Sequence, residues 1–242
     1  AAARKLHYGA KKTMQTAQRL YEGVMLNGET TGLITYMRTD GVSIADEAIN
    51  GIRDHVGSTY GSNYVPGSPR VYKTKAKNAQ EAHEAIRPVD FSLKPSAVKE
   101  SLSSEQFRLY SLVWKRALAS QMSAAEIART TLKIEAGVKR ECLFEAQGQR
   151  VVFPGFLQAY TEGKNDVDEA VSEKDVILPK VERDQILPLK KLNLEQLFTK
   201  PPPRYTEASL VKKMEFEGIG RPSTYAPTIS TIQDRGYVEV TP

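Results

Sequence analysis

Apolar residues recur every three or four positions through AKKTMQTAQRLYE, residues 10–22, where Met14, Ala17, Leu20 and Tyr21 would line one face of a helix. The period returns from Ser103 to Met122. There Ser103 and Gln106 form a capping box, and Phe107, Leu109, Tyr110, Leu112, Val113, Trp114, Ala117, Leu118 and Met122 supply a wide apolar face. Ser43 is placed to cap a helix through ADEAINGIRDHVGSTYG, with Glu47 near its start. Thr206 is placed to cap TEASLVKKMEFEG, and a tight IGRPS turn then leads to TYAPTISTIQDRG.

Elsewhere the period is two. GLITYMR predicts a short strand, preceded by a turn or hairpin tip at Asn27-Gly28. ARTTLKIEA, ECLFEAQ and RVVFPGFLQAY predict three antiparallel strands. GYVEV predicts a strand after the last two helices, and helix, turn, helix, strand resembles a winged-helix unit. Residues 61–79 are rich in Gly, Pro, Ser and Lys and predict irregular structure. The expected class is α+β with several domains.

Composition narrows the functional field. Of 242 residues, 40% are hydrophobic and 26% charged, enough for a core. No run approaches the about 20 apolar residues that a membrane span needs, so a membrane partner is not expected. One cysteine, Cys142, excludes a disulfide scaffold and a multi-thiolate zinc site; its place in an alternating run predicts packing. The beginning AAARKL carries neither Met nor a signal peptide, so a cytoplasmic piece of a longer protein is expected. The net charge is +5, yet residues 161–175 hold six acids and two lysines, leaving the remainder near +9. That fits a polyanionic partner such as nucleic acid, and fits a solvated basic surface as well.

Three segments could carry chemistry. If residues 32–41 are extended, Tyr36 and Arg38 share a face, with Asp40 next along it. A guanidinium favours phenolate and grips phosphate oxygens, so the pair suits attack on a phosphodiester; a half-buried Tyr beside an exposed Arg would look the same. In QEAHEAIRP, His83 has Glu81 and Glu84 beside it, which would favour imidazolium if close. Upstream, Lys73, Lys75 and Lys77 alternate and could form a phosphate rail or a solvated loop. In GIGRPSTYA, Gly220 permits a tight turn, while Arg221, Ser223 and Thr224 surround a helix start able to hold an anion or simply to cap. Asp166 and Asp168 have the spacing of a metal-binding pair but sit in a charged insertion, and Gly218-Ile-Gly220 is only part of a dinucleotide fingerprint.

Taken together and in order, KKTMQTAQRLYE, GLITYMRTDG, QEAHEAIRP, FTKPPPRYTEASLVKKMEFEGIGRPSTYA and ISTIQDRGYV resemble the bacterial type IA DNA topoisomerases. The likeness spans nearly the whole chain and is loosest at 51–78 and 161–190. It implies that Tyr36 is the nucleophile on single-stranded DNA, forming a 5′-phosphotyrosyl link, with Arg38 clamping the phosphate and His83 helping. Thr35, Thr39 and Asp40 would support that site. Gln18 and Glu22 from the neighbouring helix, and Arg221, Ser223 and Thr224, would contact DNA. Resealing would need no ATP, and no G-x-x-x-x-G-K-[ST] loop is present.

The resemblance also implies an organisation. Residues 1–122 would form a mobile helical domain bearing the tyrosine, 123–160 part of a β-rich arch, 161–189 an insertion or linker, and 190–242 the start of a helical, winged-helix-like base domain. Negatively supercoiled DNA would be relaxed by strand passage. Mg²⁺ would be bound by a Toprim domain of the same enzyme, whose acidic cluster has no match here, so this stretch alone is expected to be inactive. Gly41 departs from the family's usual Ser. The competing reading is a non-catalytic basic winged-helix DNA-binding module. A metal-dependent nickase would want a histidine pair, which His7, His55 and His83 do not form, and a recombinase would want a different Arg and His arrangement.

Overall fold

The computed structural model describes residues 1–73, 83–137, 139–160 and 178–240. Lys75, Lys77, Glu81 and the acidic stretch 161–175, with Asp166 and Asp168, lie outside the described residues. The chain divides into two units. One takes in Ala1–Ala124 with the segments that begin at Pro154 and at Tyr205; the other takes in Ala125–Phe153 and a segment ending at Arg204.

The first unit is mainly helical: α1 (Ala2–Leu6), α2 (Ala10–Glu22), α3 (Asp46–Tyr60), α4 (Pro95–Val98) and α5 (Ser104–Ser120), with a hairpin of β1 (Val24–Leu26) and β2 (Glu29–Thr31) after α2. Leu26 pairs with Glu29, and Asn27 (φ 51°) and Gly28 (φ 88°) both take the left-handed conformation that a two-residue hairpin turn requires. Helix α5 begins with the expected capping box: Ser103 Oγ accepts from Gln106 N at 3.2 Å and Gln106 Oε1 accepts from Ser103 N at 3.0 Å. Leu20, Leu33, Ile34, Ile52, Val56, Tyr110, Leu118 and Met122 are buried together as the core. Burying one leucine of this kind contributes about 1.5–3 kcal/mol. Tyr110 Oη donates to Leu93 O at 2.6 Å; its phenol pKa is pushed up by burial first and by Asp90 second.

Irregular residues 61–73 are pinned by Gln121, which is wholly buried. Its amide accepts from Arg70 N and donates to Arg70 O, both at 3.0 Å, while Arg70 Nε donates to Met122 O at 2.8 Å. A side-chain amide here replaces a strand partner, satisfying buried backbone groups without a sheet.

Five sequence expectations need correction. Residues 32–38 form no strand; only an isolated bridge joins Ile34 to Pro88. Proline has no N–H to extend a ladder, and the Arg87 N–H donates to Thr35 Oγ1 at 2.9 Å instead of to backbone. Ser43 does not cap α3, whose N-cap is Ala45; the Ala45 N–H is satisfied by Glu84 Oε1 at 2.7 Å, a partner distant in sequence. The wing strand is missing: Tyr237 N and Val238 N donate back to Ile232 O at 2.9 and 3.4 Å, and Gly236 turns left-handed at φ 67°. Gly236, Tyr237 and Val238 are thus drawn into the end of a helix, and residues 236–240 form no strand. Helices α6 (Glu207–Glu217) and α7 (Tyr225–Asp234) do form, and α6 has the predicted Thr206 cap, whose Oγ1 accepts from Ser209 N at 3.2 Å.

The fourth correction concerns the second unit, where two long strands stand in place of three short ones. β3 (Glu126–Ala136) pairs antiparallel with β4 (Cys142–Phe153), with an irregularity between Glu126 and Ile127. The break expected inside QGQR does not occur, because Gly148 continues in register opposite Thr130. Cys142 is exposed, not packed, at the start of β4. Ile127, Leu143, Phe144, Val151 and Val152 are exposed as well.

Candidate nucleic-acid site

The last turn of α2 gathers the site. Gln18, Tyr21 and Glu22 are three and four residues apart and therefore share a helix face. Gln18 Nε2 donates to Glu22 Oε1 at 2.7 Å, which leaves the amide oxygen to accept from Arg38 Nη2 at 2.9 Å. The chain Arg38, Gln18, Glu22 thus ends on a carboxylate. One end of an exposed guanidinium is fixed while its residue stays open to solvent.

Tyr36 meets the same turn of helix. Its ring lies 5.4 Å from that of Tyr21, edge-on at 70°, and 5.2 Å from the imidazole of His83, tilted by 31°. The residue is half-buried and packs against the core. Leu33, Ile34 and Met37 turn inward and anchor the segment. Tyr36 and Arg38 therefore converge through α2, and not through the strand alternation that the sequence implied.

The segment bearing His83 is tied to the Tyr36 segment by backbone. Thr35 N donates to Arg87 O at 2.9 Å, Val89 N donates to Leu33 O at 3.1 Å, and Thr35 Oγ1 donates to Ala85 O at 2.7 Å. Ala85 N donates to Ser43 O at 2.8 Å. A Cβ on Gly41 would stand 2.0 Å from His83 O, so only glycine fits this close approach. Where the family resemblance would place a serine hydroxyl, this chain brings two backbones together. Glu84 is engaged at Ala45 N and at Arg87 Nη2, 2.8 Å away, so its carboxylate holds the loop.

The remaining predicted residues divide. Thr39 Oγ1 accepts from Gly41 N at 2.9 Å and closes a local turn. Thr35 and Thr39 are thus engaged with the chain's own backbone. Asp40 faces α7. The Tyr225 phenol has its pKa raised, by burial first, then by Glu215 and Asp40, with Arg221 opposing. Thr224 Oγ1 accepts from Arg221 N at 2.8 Å, and Arg221 and Ser223 are exposed. Tyr21 is the site residue that sequence reasoning treated only as an apolar helix position. Its three-residue spacing from Gln18 was the available signal.

Chemically, this is a phenol with restricted motion beside an imidazole and an anchored guanidinium. Such a group can receive a phosphate from solvent. Among the described residues no three carboxylate, imidazole or thiol groups converge where a metal ion could sit. Among them, too, no helix is long and apolar enough to cross a membrane.

Known proteins resemble the chain along its whole length. A family model described as DNA topoisomerase matches residues 1–242. DNA topoisomerase 1 of Rickettsia felis is 49% identical over 239 residues, covering 99% of this chain and 30% of that protein. DNA topoisomerase 1 of Xylella fastidiosa is 50% identical over 240 residues, covering 99% of this chain and 29% of that protein. The structure of full-length topoisomerase I from Thermotoga maritima matches with a TM-score of 0.75 at 32% identity, covering 99% of this chain and 37% of that one. The chain thus spans less than half the length of the relatives it matches, and on the family model and these identities it belongs to the DNA topoisomerase family.

Proposed function

We propose that this chain is the tyrosine-bearing stretch of a type IA DNA topoisomerase, acting on single-stranded regions of negatively supercoiled DNA. The observation that carries the reading is the convergence of Tyr36, Arg38 and His83 at the end of α2.

In the proposed step, Tyr36 Oη attacks a backbone phosphorus. The bond from phosphorus to the 3′-oxygen breaks, and a 5′-phosphotyrosyl ester forms. The phenol loses its proton and the departing 3′-oxygen takes one up. Arg38, held by Gln18, faces the charge that builds on the phosphoryl oxygens, and a fixed donor of this type is worth about 10²–10³-fold in rate. His83 limits the tilt of the tyrosine ring and offers a further contact to the phosphate. One ester replaces another, so the bond energy is conserved and the reverse attack reseals the strand without ATP. Arg221, Ser223, Thr224 and Asp40 would guide the strand beyond the cut, with Thr35 and Thr39 shaping the loop that presents Tyr36.

Mg²⁺ enters the proposal only as a property of the whole enzyme, bound by its Toprim domain, and no step above runs through it. The same domain would provide the proton for the departing oxygen, so the 242-residue chain alone should not cleave DNA. The mobile tyrosine domain, arch, linker and base domain inferred from the resemblance, and a cytoplasmic location, belong to this proposal too.

The test is plasmid relaxation by the full-length protein with Mg²⁺, compared with Tyr36→Phe. Loss of relaxation, together with loss of the covalent protein–DNA adduct, supports the reading. Relaxation that survives the substitution overturns it.

A further inference from the structure

The oxygen of a nucleophile must stay open to its target, so it cannot also be the handle that holds the side chain. A tyrosine used in this way has to be held by its ring. Residues 32–38 form no strand, so no ladder sets the direction of Tyr36. Two rings meet it instead: the His83 imidazole at 5.2 Å, tilted by 31°, and Tyr21 at 5.4 Å, edge-on at 70°. The edge-on contact is directional. An aromatic edge is electropositive and a face electronegative, and a pair of this kind shifts a rotamer population by about 2–10-fold. Tyr21 is 42% exposed, and α2 buries Thr16, Ala17 and Leu20 in its place, so the core does not account for its ring.

The Tyr36 segment is also built against the backbone of Tyr21. Leu33 N donates to Leu20 O at 2.8 Å, and a Cβ on Gly32 would stand 2.8 Å from Tyr21 O, so glycine lets the segment start alongside the helix end. Four residues later the chain brings the Tyr36 ring onto the Tyr21 ring. Gln18 lies one turn earlier on the same helix face and holds Arg38. The last turn of α2 thus carries a contact for the phenol and a contact for the cation, three residues apart.

We infer, resting on the reading of Tyr36 as the nucleophile, that Tyr21 is a positioning residue for that step, its ring fixing the direction in which the phenol presents its oxygen beside Arg38. The aromatic ring does this work and the Tyr21 hydroxyl does not. Because Tyr21 acts through Tyr36, it governs the rate of cleavage and not the affinity for the strand.

Single-turnover cleavage of a single-stranded oligonucleotide by the full-length protein with Mg²⁺ tests it, alongside the Kd for the same strand measured without Mg²⁺. Tyr21→Leu should slow cleavage by about 3–10-fold and change the Kd by less than about twofold. Tyr21→Phe keeps the ring and should recover most of the lost rate. A second readout follows the nucleophile itself. With 3-fluorotyrosine in place of Tyr36, the fluorine resonance should shift and narrow in Tyr21→Leu as the ring gains freedom, and return toward the parent signal in Tyr21→Phe. Leucine suits an exposed helix position, so the thermal midpoint should move by no more than about 2 °C. An unaltered rate and an unaltered resonance in Tyr21→Leu overturn the inference. So does a loss of affinity as large as the loss of rate, a Tyr21→Phe variant as slow as Tyr21→Leu, or a midpoint lowered by several degrees. Tyr36→Phe keeps the two readings apart: relaxation that survives it overturns the assignment of the nucleophile, whereas its loss beside parent-rate cleavage by Tyr21→Leu overturns the role of Tyr21 alone.

Discussion

Arg38 Nη2 donates to the amide oxygen of Gln18 at 2.9 Å, so this cation is held by a helix and not by its own loop. The amide can accept because its nitrogen is committed to Glu22 at 2.7 Å. Arg38→Ala should therefore slow single-turnover oligonucleotide cleavage by the full-length protein by about 10²-fold or more, with a milder loss of DNA affinity. Gln18→Ala keeps the cation and loses only its anchor, so the expected loss is about 3–10-fold. Equal effects on rate and on affinity for Arg38→Ala would reduce that residue to a binding contact.

Gly41 sits against His83 O with no room for a Cβ. Gly41→Ala should force the segment at 83–85 outward and strain its bond to Ser43. The expected cost is about 1–3 kcal/mol, as for overpacking elsewhere, read as a lower midpoint in thermal or urea unfolding. An unchanged midpoint would mean that the close approach is not maintained in solution.

Thr35 joins two segments through one hydroxyl, donating to Ala85 O at 2.7 Å and accepting from Arg87 N at 2.9 Å. Thr35→Val keeps the shape and strands the Arg87 N–H. The predicted destabilisation is about 1–3 kcal/mol by urea denaturation. Thr35→Ser should recover most of it, which separates the hydroxyl from the methyl group.

His55 lies edge-on to Trp114 at 5.2 Å, and its pKa is lowered from 6.5, by burial first and by Lys94 second. The folded state thus prefers neutral imidazole. Its contribution is fully present above pH about 6.5 and is lost as pH falls toward the lower folded-state value, where the unfolded chain binds the extra proton. Midpoints measured from pH 8 to pH 5 should fall less for His55→Gln than for the parent chain. A parallel fall in both would remove His55 as the source.

The legibility of this chain followed the range of the forces involved. Elements set by their own residues were readable: the Ser103–Gln106 box, the Thr206 cap and the Asn27-Gly28 turn each depend on atoms within a few positions. Elements set by distant partners were not. Ser43 had the right chemistry to cap α3, but Glu84 reached Ala45 first. GLITYMR had the composition of a strand, but its neighbour contains Pro88, and Thr35 took the Arg87 N–H. At the site, the types of group at Tyr36, Arg38 and His83 were visible in the sequence. Their meeting at Tyr21 and Gln18 was not, because it rests on α2 packing beside a loop and not on any local period.

One contact also bears on the order in which the chain is assembled. Glu207 Oε2 accepts from Ala10 N at 2.7 Å, across 197 positions, and supplies the start of α2 with the acceptor that Gly9 cannot. On a ribosome making about 5–20 residues per second, that carboxylate emerges roughly 10–40 s after the amide it serves. The helix presenting Gln18 and Tyr21 must therefore wait, with its first turn open to water, until translation has nearly passed the whole of this stretch. A nascent chain stalled before Glu207 should show faster amide exchange at Ala10 than one released beyond it.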